Sequence, residues 1–248
     1  MNSMPLGNIK TNMKISMPDV DLVCDEREIY ERLLPLDGAH ILELGCGKAE
    51  NTFHIAKNGK VNKIVALEVD QIQHAANLRR DAPSNVSFQL GGAQAIPAGN
   101  DSFEIVMMFK SLHHVPVALM DAALDEIGRV LKPRGLAYIS EPVFAGEFNE
   151  ILKLFHNEQA VREAAFAAVE RAVTSGRFEL VSQTFFATPM HFDSFAQFDE
   201  NVLKVTHTQH KLSSDLYREV QQKFMRHMAH DGARFKMPIR VDLLRKAA

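Results

Sequence analysis

The chain has 248 residues, 46% of them apolar, with 28 Lys and Arg against 31 Asp and Glu and a formal net charge of −3. That is enough apolar material for one α/β domain with some excess, and no Lys/Arg-rich block is present to neutralise the phosphates of a nucleic acid. No run reaches membrane-spanning length, residues 1–10 lack an apolar core flanked by positive charge, and Cys24 and Cys46 show neither metal nor redox spacing, so a soluble cytoplasmic protein is expected.

Residues 1–20 are rich in Met and polar side chains and read as a disordered segment or a flexible lid. Ile29 and Leu33 predict a helix over 25–34 that stops at Pro35. Ile41-Leu42-Glu43-Leu44 is a strand running into Gly45-Cys46-Gly47, where glycines permit positive φ and close ligand approach, and a helix over 51–57 follows. A second strand over 61–67 ends at Glu68-Val69-Asp70, and Ile72, Ala75, Ala76 and Arg79 mark a helix over 71–80. An acid about 20 residues after a glycine loop is where nucleotide-binding α/β folds hold ribose hydroxyls. Asp70 stands three residues before Gln73 and suits the N-cap of a capping box, which leaves Glu68 for the ribose. These features alone fit a nicotinamide dehydrogenase as well.

A third strand over 85–90 opens into Gly91-Gly92-Ala93-Gln94-Ala95-Ile96-Pro97. After the turn Asn100-Asp101-Ser102 comes an apolar strand over 104–109, ending in Lys110-Ser111-Leu112-His113-His114-Val115. A helix over 116–131 then leads through Arg129-Val130-Leu131-Lys132-Pro133-Arg134-Gly135 to a fifth strand over 136–140, ending at Glu141-Pro142. Taken in order, these motifs resemble the class I S-adenosylmethionine-dependent methyltransferases, in the type 11 group that includes quinone-biosynthesis C-methyltransferases and many small-molecule methyltransferases. There the third-strand loop reads Gly-Asp-Ala-Glu-x-Leu-Pro, the next strand Ser-Phe-Asp-x-Val followed by Leu-His-His-Val, and the later turn Arg-Val-Leu-Lys-Pro-Gly-Gly. The resemblance covers about residues 36–145.

The resemblance implies a Rossmann-like α/β fold with a seven-stranded, mostly parallel sheet whose last strand is antiparallel between the fifth and sixth. It implies S-adenosylmethionine as cofactor and methyl transfer to a small organic acceptor. Carried onto this chain, Glu43, Gly45, Gly47 and the backbone of Cys46 would hold the methionine part and Glu68 the ribose. Gly92, Ala93 and Gln94 would hold the adenine, and Lys110 or Phe109 would contact the sulfonium side. Three positions depart from the pattern: Ala49 replaces the third glycine of the loop, Gly92 an Asp, and Glu104 an Asp. With Gly92 lacking a carboxylate, the Ala93 N–H and the Gln94 amide oxygen remain for the adenine.

Beyond the fifth strand, 147–175 is an amphipathic helical stretch closed by Gly176, 178–187 a sixth strand, 193–205 and 213–230 helices, and 234–244 a seventh strand. One domain is expected: a lid and helix over 1–35, a cofactor-binding core over 36–145, and helical cap insertions over 146–176 and 190–232. Phenylalanines crowd that cap, either as core or as lining of an apolar acceptor pocket. His113 and His114 either shape their loop or deprotonate an acceptor, and Glu141 either holds an acceptor group or caps a helix. Lys110 either reaches the cofactor carboxylate or is solvated. His207 with His210 and His227 with His230 share helical faces but lack further ligands, so no metal is expected. No fixed catalytic residue is expected either, because an activated methyl donor needs positioning more than acid–base help. The rival class is a methyltransferase-like binding or regulatory subunit. RNA methylation is disfavoured by the acidic balance and by Met108-Phe109-Lys110-Ser111, where enzymes methylating exocyclic nitrogens carry an Asn/Asp-Pro-Pro-Tyr-like run. No motif identifies the acceptor or the oligomeric state.

Overall fold

Successive strand residues point to opposite faces of a sheet, and the apolar runs here supply both faces at once. In the computed structural model, which describes residues 12–204 and 212–247, five strands pair in parallel: β1 (His40–Leu44), β2 (Lys63–Glu68), β3 (Val86–Leu90), β4 (Phe103–Phe109) and β5 (Leu131–Pro142). Leu42, Leu44, Val65, Leu67, Val106, Met108 and Ile139 share one apolar cluster with the helices α4 (Met120–Val130) and α6 (Gln159–Thr174). Their alternates Ile41, Ile64, Ile105, Met107, Phe109 and Tyr138 pack with Ile29 and Tyr30 of α1 (Glu26–Leu33) and Ile55 of α2 (Glu50–Asn58). Helices on both faces are what a parallel sheet requires.

The strand order is β3-β2-β1-β4-β5-β8-β6, where β6 is Phe178–Phe192 and β8 is Gly232–Lys246. β8 lies antiparallel between β5 and β6, as expected of the closing strand. An additional two-residue strand, β7 (Met228–Ala229), folds back on the start of β8 and makes that closing strand the eighth in the chain. The chain winds outward in both directions from β1 and β4, so the carboxyl ends of β1, β2, β4 and β5 share one edge around a topological switch point, where open α/β sheets bind ligands.

Several expectations beyond β5 are corrected. The stretch 147–175 is two helices, α5 (Glu147–Leu152) and α6, separated by a turn in which Asn157 accepts the N–H of Gln159. Ala165, Ala168, Val169 and Ala172 seat α6 directly against Ala123, Leu124 and Ile127 of α4, so this helix is a layer of the main core and not part of a cap. A separate cluster of Phe148, Ile151, Phe192, Phe195, Phe198, Val220, Phe224 and Phe235 joins α5, α7 (Phe195–Phe198) and α8 (Ser214–Met225) to the far ends of β6 and β8. The helix expected over 193–205 is α7 and a π-turn over Asp199–Leu203, and α8 ends at Met225, short of His230. Of the expected lid, residues 1–11 lie outside the described residues. The part that follows runs along β6, where the Ala187 N–H bonds the Leu22 carbonyl and the Cys24 N–H bonds the Ala187 carbonyl.

Candidate functional site

The loop after β1 is shaped by backbone conformation and fastened from three sides. Gly45 and Gly47 have φ of +71° and +51°, and a Cβ on Gly45 would lie 2.8 Å from that of Ser111. Ser111 in turn donates its hydroxyl to the Leu44 carbonyl at 2.9 Å, so the turns after β1 and β4 touch. The Gly47 N–H donates to Glu68 Oε2 (2.7 Å), and the Gly47 carbonyl accepts from Asn77 Nδ2 (2.7 Å) on α3 (Gln71–Leu78). Arg80 reaches the Lys48 carbonyl while lying over the Phe53 ring at 4.1 Å. Ala49 is left-handed at φ +57°, which costs an alanine roughly 1 kcal/mol against glycine, although its buried methyl joins the Cys46, Phe53 and Ala66 cluster. Burial holds the Cys46 thiol protonated with its pKa pushed up, and the sulfur accepts weakly from Asn77 (3.7 Å). Neither Asn77 nor Arg80 stands in a motif. The one sequence signal is their place at the end of a helix, Asn77 in the last turn of α3 and Arg80 just beyond its C-cap Arg79.

Two buried acids flank this loop. Glu43 accepts the Thr52 hydroxyl at 2.5 Å. Burial lifts its pKa to about 7, the Thr52 hydrogen bond opposes that rise, and the charges of Glu26 and Glu68 add to it. Glu68 accepts three backbone N–H groups: Gly47 on Oε2, and Val69 and Asp70 on Oε1. Four lone-pair sites are available on a carboxylate, so one on Oε2 faces no backbone donor. Asp70 is the N-cap of α3, accepting from Ile72 N–H (2.8 Å) and Gln73 N–H (3.3 Å). The reciprocal half of the expected capping box is absent, because the Gln73 amide bonds Asn77 instead and the Asp70 N–H is taken by Glu68.

Gly91 donates its N–H to the Glu68 carbonyl (3.1 Å), which brings Gly92, Ala93 and Gln94 beside the acid. The Gln94 amide folds over Gly92, within 2.6 Å of where a Cβ would stand, and so fills the volume an Asp side chain would take. Ala93 is buried in the main core. Around this corner Val69, Ile72 and Leu90 are 64%, 80% and 48% exposed, an apolar surface at a sheet edge that the helix-face reading of Ile72 missed.

At the end of β4 two expectations change. The Phe109 ring is buried between Tyr30 (5.6 Å) and Tyr138 (5.5 Å) because alternation sends it to the α1 face. The Lys110 ammonium is paired with Glu26 of α1 at 2.5 Å while its side chain stays partly exposed. The residues that do gather at this edge are His113, Glu141 and Glu158. His113 Nδ1 bonds Glu141 Oε2 (2.5 Å) and its Nε2 lies 3.6 Å from Glu158 Oε1, while the Leu112 N–H donates to Glu141 Oε1 (2.9 Å). Burial presses the imidazole pKa down, but the two carboxylates lift it to about 9. Burial pushes Glu158 up, and His113 and Arg162 nevertheless hold it well below the usual carboxylate range.

Of the paired histidines, His207 and His210 lie outside the described residues. His227 and His230 follow the end of α8 and face Glu147 and Asp231 respectively, so they do not share a helical face. The cap phenylalanines mostly pack on one another. A cavity of about 760 Å³ lies against their cluster, lined by Met190, His191, Arg234, Phe235 and Lys236 of the β6–β8 ends.

Residues 41–135 match the family described as a methyltransferase domain. The chain is 33% identical over 138 residues to a demethylmenaquinone methyltransferase of Lactococcus lactis, an alignment covering 54% of this chain and 53% of that protein. It spans about half the length of the curated relatives it matches. Among solved structures, a candidate methyltransferase of Bacillus halodurans superposes with a TM-score of 0.63 at 17% identity, over 90% of this chain and 99% of that one. The [4+2]-cyclase SpnF superposes with a TM-score of 0.55 at 21% identity, over 90% and 79%. Likeness at these identities is one of fold, and the site must carry the function. Among the described residues, no helix is long and apolar enough to cross a membrane.

Proposed function

We propose that this chain is a class I S-adenosylmethionine-dependent methyltransferase that transfers a methyl group from S-adenosylmethionine to a small organic acceptor, a reading supported by its methyltransferase-domain match and its methyltransferase relatives. The observation that carries the reading is the positive-φ loop of Gly45 and Gly47, set between the buried acids Glu43 and Glu68 at the switch point of the sheet. The residues fit the cofactor: a Cβ on Gly47 would meet nothing within 4 Å, so open space borders the loop, and an acid kept near neutral by burial suits an ammonium partner.

Glu43, Gly45, Gly47 and the backbone of Cys46 hold the methionine part, and Glu68 holds the ribose through its remaining lone pair and by exchanging a loop N–H. Gly92, Ala93 and Gln94 meet the adenine edge, and the exposed side chains of Val69, Ile72 and Leu90 its faces. Phe109 and Lys110 act at one remove, joining α1 to the end of β4. When bound, the cofactor supplies a methyl already activated on a sulfonium. The protein's part is to align donor and acceptor and exclude water, effects that contribute roughly 7–11 kcal/mol in well-oriented reactions. The cap built on β6 and β8 is the roof over the acceptor, and the net charge of −3 supports a small molecule over a polynucleotide. Two buried, free cysteines suit a reducing, cytoplasmic setting.

Calorimetry with S-adenosylmethionine and S-adenosylhomocysteine should show one site, lost in Gly47→Val. No heat and no thermal shift at millimolar ligand would refute the reading. A methyl-transfer screen against small-molecule and RNA pools tests the acceptor class, and turnover confined to RNA would overturn the closed small-molecule site.

A further inference from the structure

The polar cluster at the ends of β4 and β5 contains more chemistry than methyl transfer requires. His113, His114 and Glu158 each bring one donor atom within 4.8 Å of the others. His113 is buried, Glu158 half-buried and His114 exposed, so the group is closed on its inner side and open on its outer one. Two donors at about 2.1 Å from a tetrahedral zinc-like ion stand roughly 3.4 Å apart. His113 Nε2 and Glu158 Oε1 are already 3.6 Å apart.

The surroundings match what a ligating histidine needs. Glu141 Oε2 takes the Nδ1 proton of His113 at 2.5 Å while its other oxygen, Oε1, is fixed by the Leu112 N–H, which leaves Nε2 as the donor atom and fixes the ring's orientation. A carboxylate behind a metal-bound imidazole is the usual support for such a ligand. Arg162 binds the other oxygen of Glu158, Oε2 (2.6 Å), so it orients the carboxylate without covering Oε1. His156 Nε2 reaches that same Oε1 at 2.8 Å, a third imidazole on the same corner.

We propose that His113, His114 and Glu158 bind a divalent first-row transition ion of the zinc class, with Glu141 orienting His113 and a coordination position left open on the exposed side. Imidazole donors select this class over magnesium or calcium, which prefer all-oxygen sites. Three protein ligands with an open position is the arrangement of ions that engage a substrate oxygen. The cluster begins two residues after Ser111, which lies against Gly45, and on the methyl-transfer reading its open position would serve the acceptor. The ion site itself does not rest on that reading.

The test uses full-length protein stripped with a chelator and titrated with Zn²⁺ by calorimetry and with Co²⁺ by visible absorption. One ion per chain is expected. His114→Ala, a change at an exposed side chain, should weaken binding at least tenfold, as should Glu158→Gln. Glu141→Gln keeps all three donors and should weaken it roughly ten- to a hundredfold. His227→Ala, at the cap, should bind like the unaltered protein. Binding of less than one ion, binding indifferent to His114 and Glu158, or an equal loss in His227→Ala would overturn the site. Cofactor affinity measured on the same samples separates the two ideas: ion binding without cofactor binding refutes the methyl-transfer reading alone, and cofactor binding without ion binding refutes the ion site alone.

Discussion

Along one edge of the sheet, buried acids are accommodated in two opposite ways. At the ends of β1 and β2, Glu43 accepts from the Thr52 hydroxyl, and the neighbouring charges that act on it, Glu26 and Glu68, are acids, so burial leaves it near neutrality with a pKa of about 7. At the ends of β4 and β5, Glu158 and Glu141 are matched by His113 and Arg162, and Glu158 is held firmly ionised. An acid kept protonated by its surroundings becomes a strong partner only when a cation arrives and the proton leaves. The first region thus holds a buried acid with no cation beside it, while in the second the buried acids are already paired. The lesson is that burial alone does not define a binding acid; what the protein has already placed beside it does.

The comparison breaks first at Glu68, where the largest effect is expected. Glu68→Ala removes the acceptor of three backbone N–H groups and should cost about 3 kcal/mol of stability, measured by denaturant unfolding, besides cofactor affinity. A loss under about 1 kcal/mol would show that the loop does not depend on it. Glu43 sharpens the contrast next. Its folded pKa of about 7 lies above the ordinary 4.5, so its contribution is intact below pH 4.5 and is lost as pH rises through 7. Glu43→Gln should match the unaltered protein at pH 4 and exceed it at pH 8 by on the order of 2 kcal/mol, while weakening cofactor binding. A stability profile that is the same in both proteins across this window would contradict a neutral, ligand-ready acid. Asp70→Ala should cost about 1 kcal/mol, a cap's contribution, and leave cofactor affinity nearly unchanged. The smallest effect is expected for Ala49→Gly, within about 0.5 kcal/mol by thermal melting, since relief of the left-handed backbone opposes loss of a buried methyl.

What could be read in the sequence follows from which forces are local. Strands β1, β2 and β4 and the second half of β5 are buried on both faces and appear as continuous apolar runs, and Gly45 and Gly47 announce their turn because other residues resist its φ. Asp70 was legible as a cap, but Gln73 was not as a partner of Asn77, because both of its options lie within one helical turn. The Asn77 and Arg80 fastenings join residues about 30 apart and leave no short-range pattern. His113 and Glu141 meet only because β4 and β5 are neighbours, so each stood as an isolated candidate until the sheet was formed. Phe109 misled in the other direction: a strand-end aromatic reads as a ligand contact until alternation assigns it to the α1 face. The division of 147–175 was hidden because Leu154 and Phe155 continue the apolar spacing through the turn, packing there against the cap cluster.

The unequal lengths of the last strands have a mechanical consequence. β5 accompanies β8 only from Ile239 to Arg245, whereas β6 pairs with β8 from Ala233 onwards. From residue 238 back to 232 the cap is thus borne on an arm roughly 23 Å long at about 3.3 Å per residue, braced at its base by the Leu22 and Cys24 bonds to Ala187. Two-stranded ribbons twist more than sheets flanked on both sides. A rotation of roughly 10° at the base of a ribbon this long carries its tip about 4 Å, so the position of the phenylalanine cluster it bears is set by the stiffness of a joint near Ala187 and Ile239.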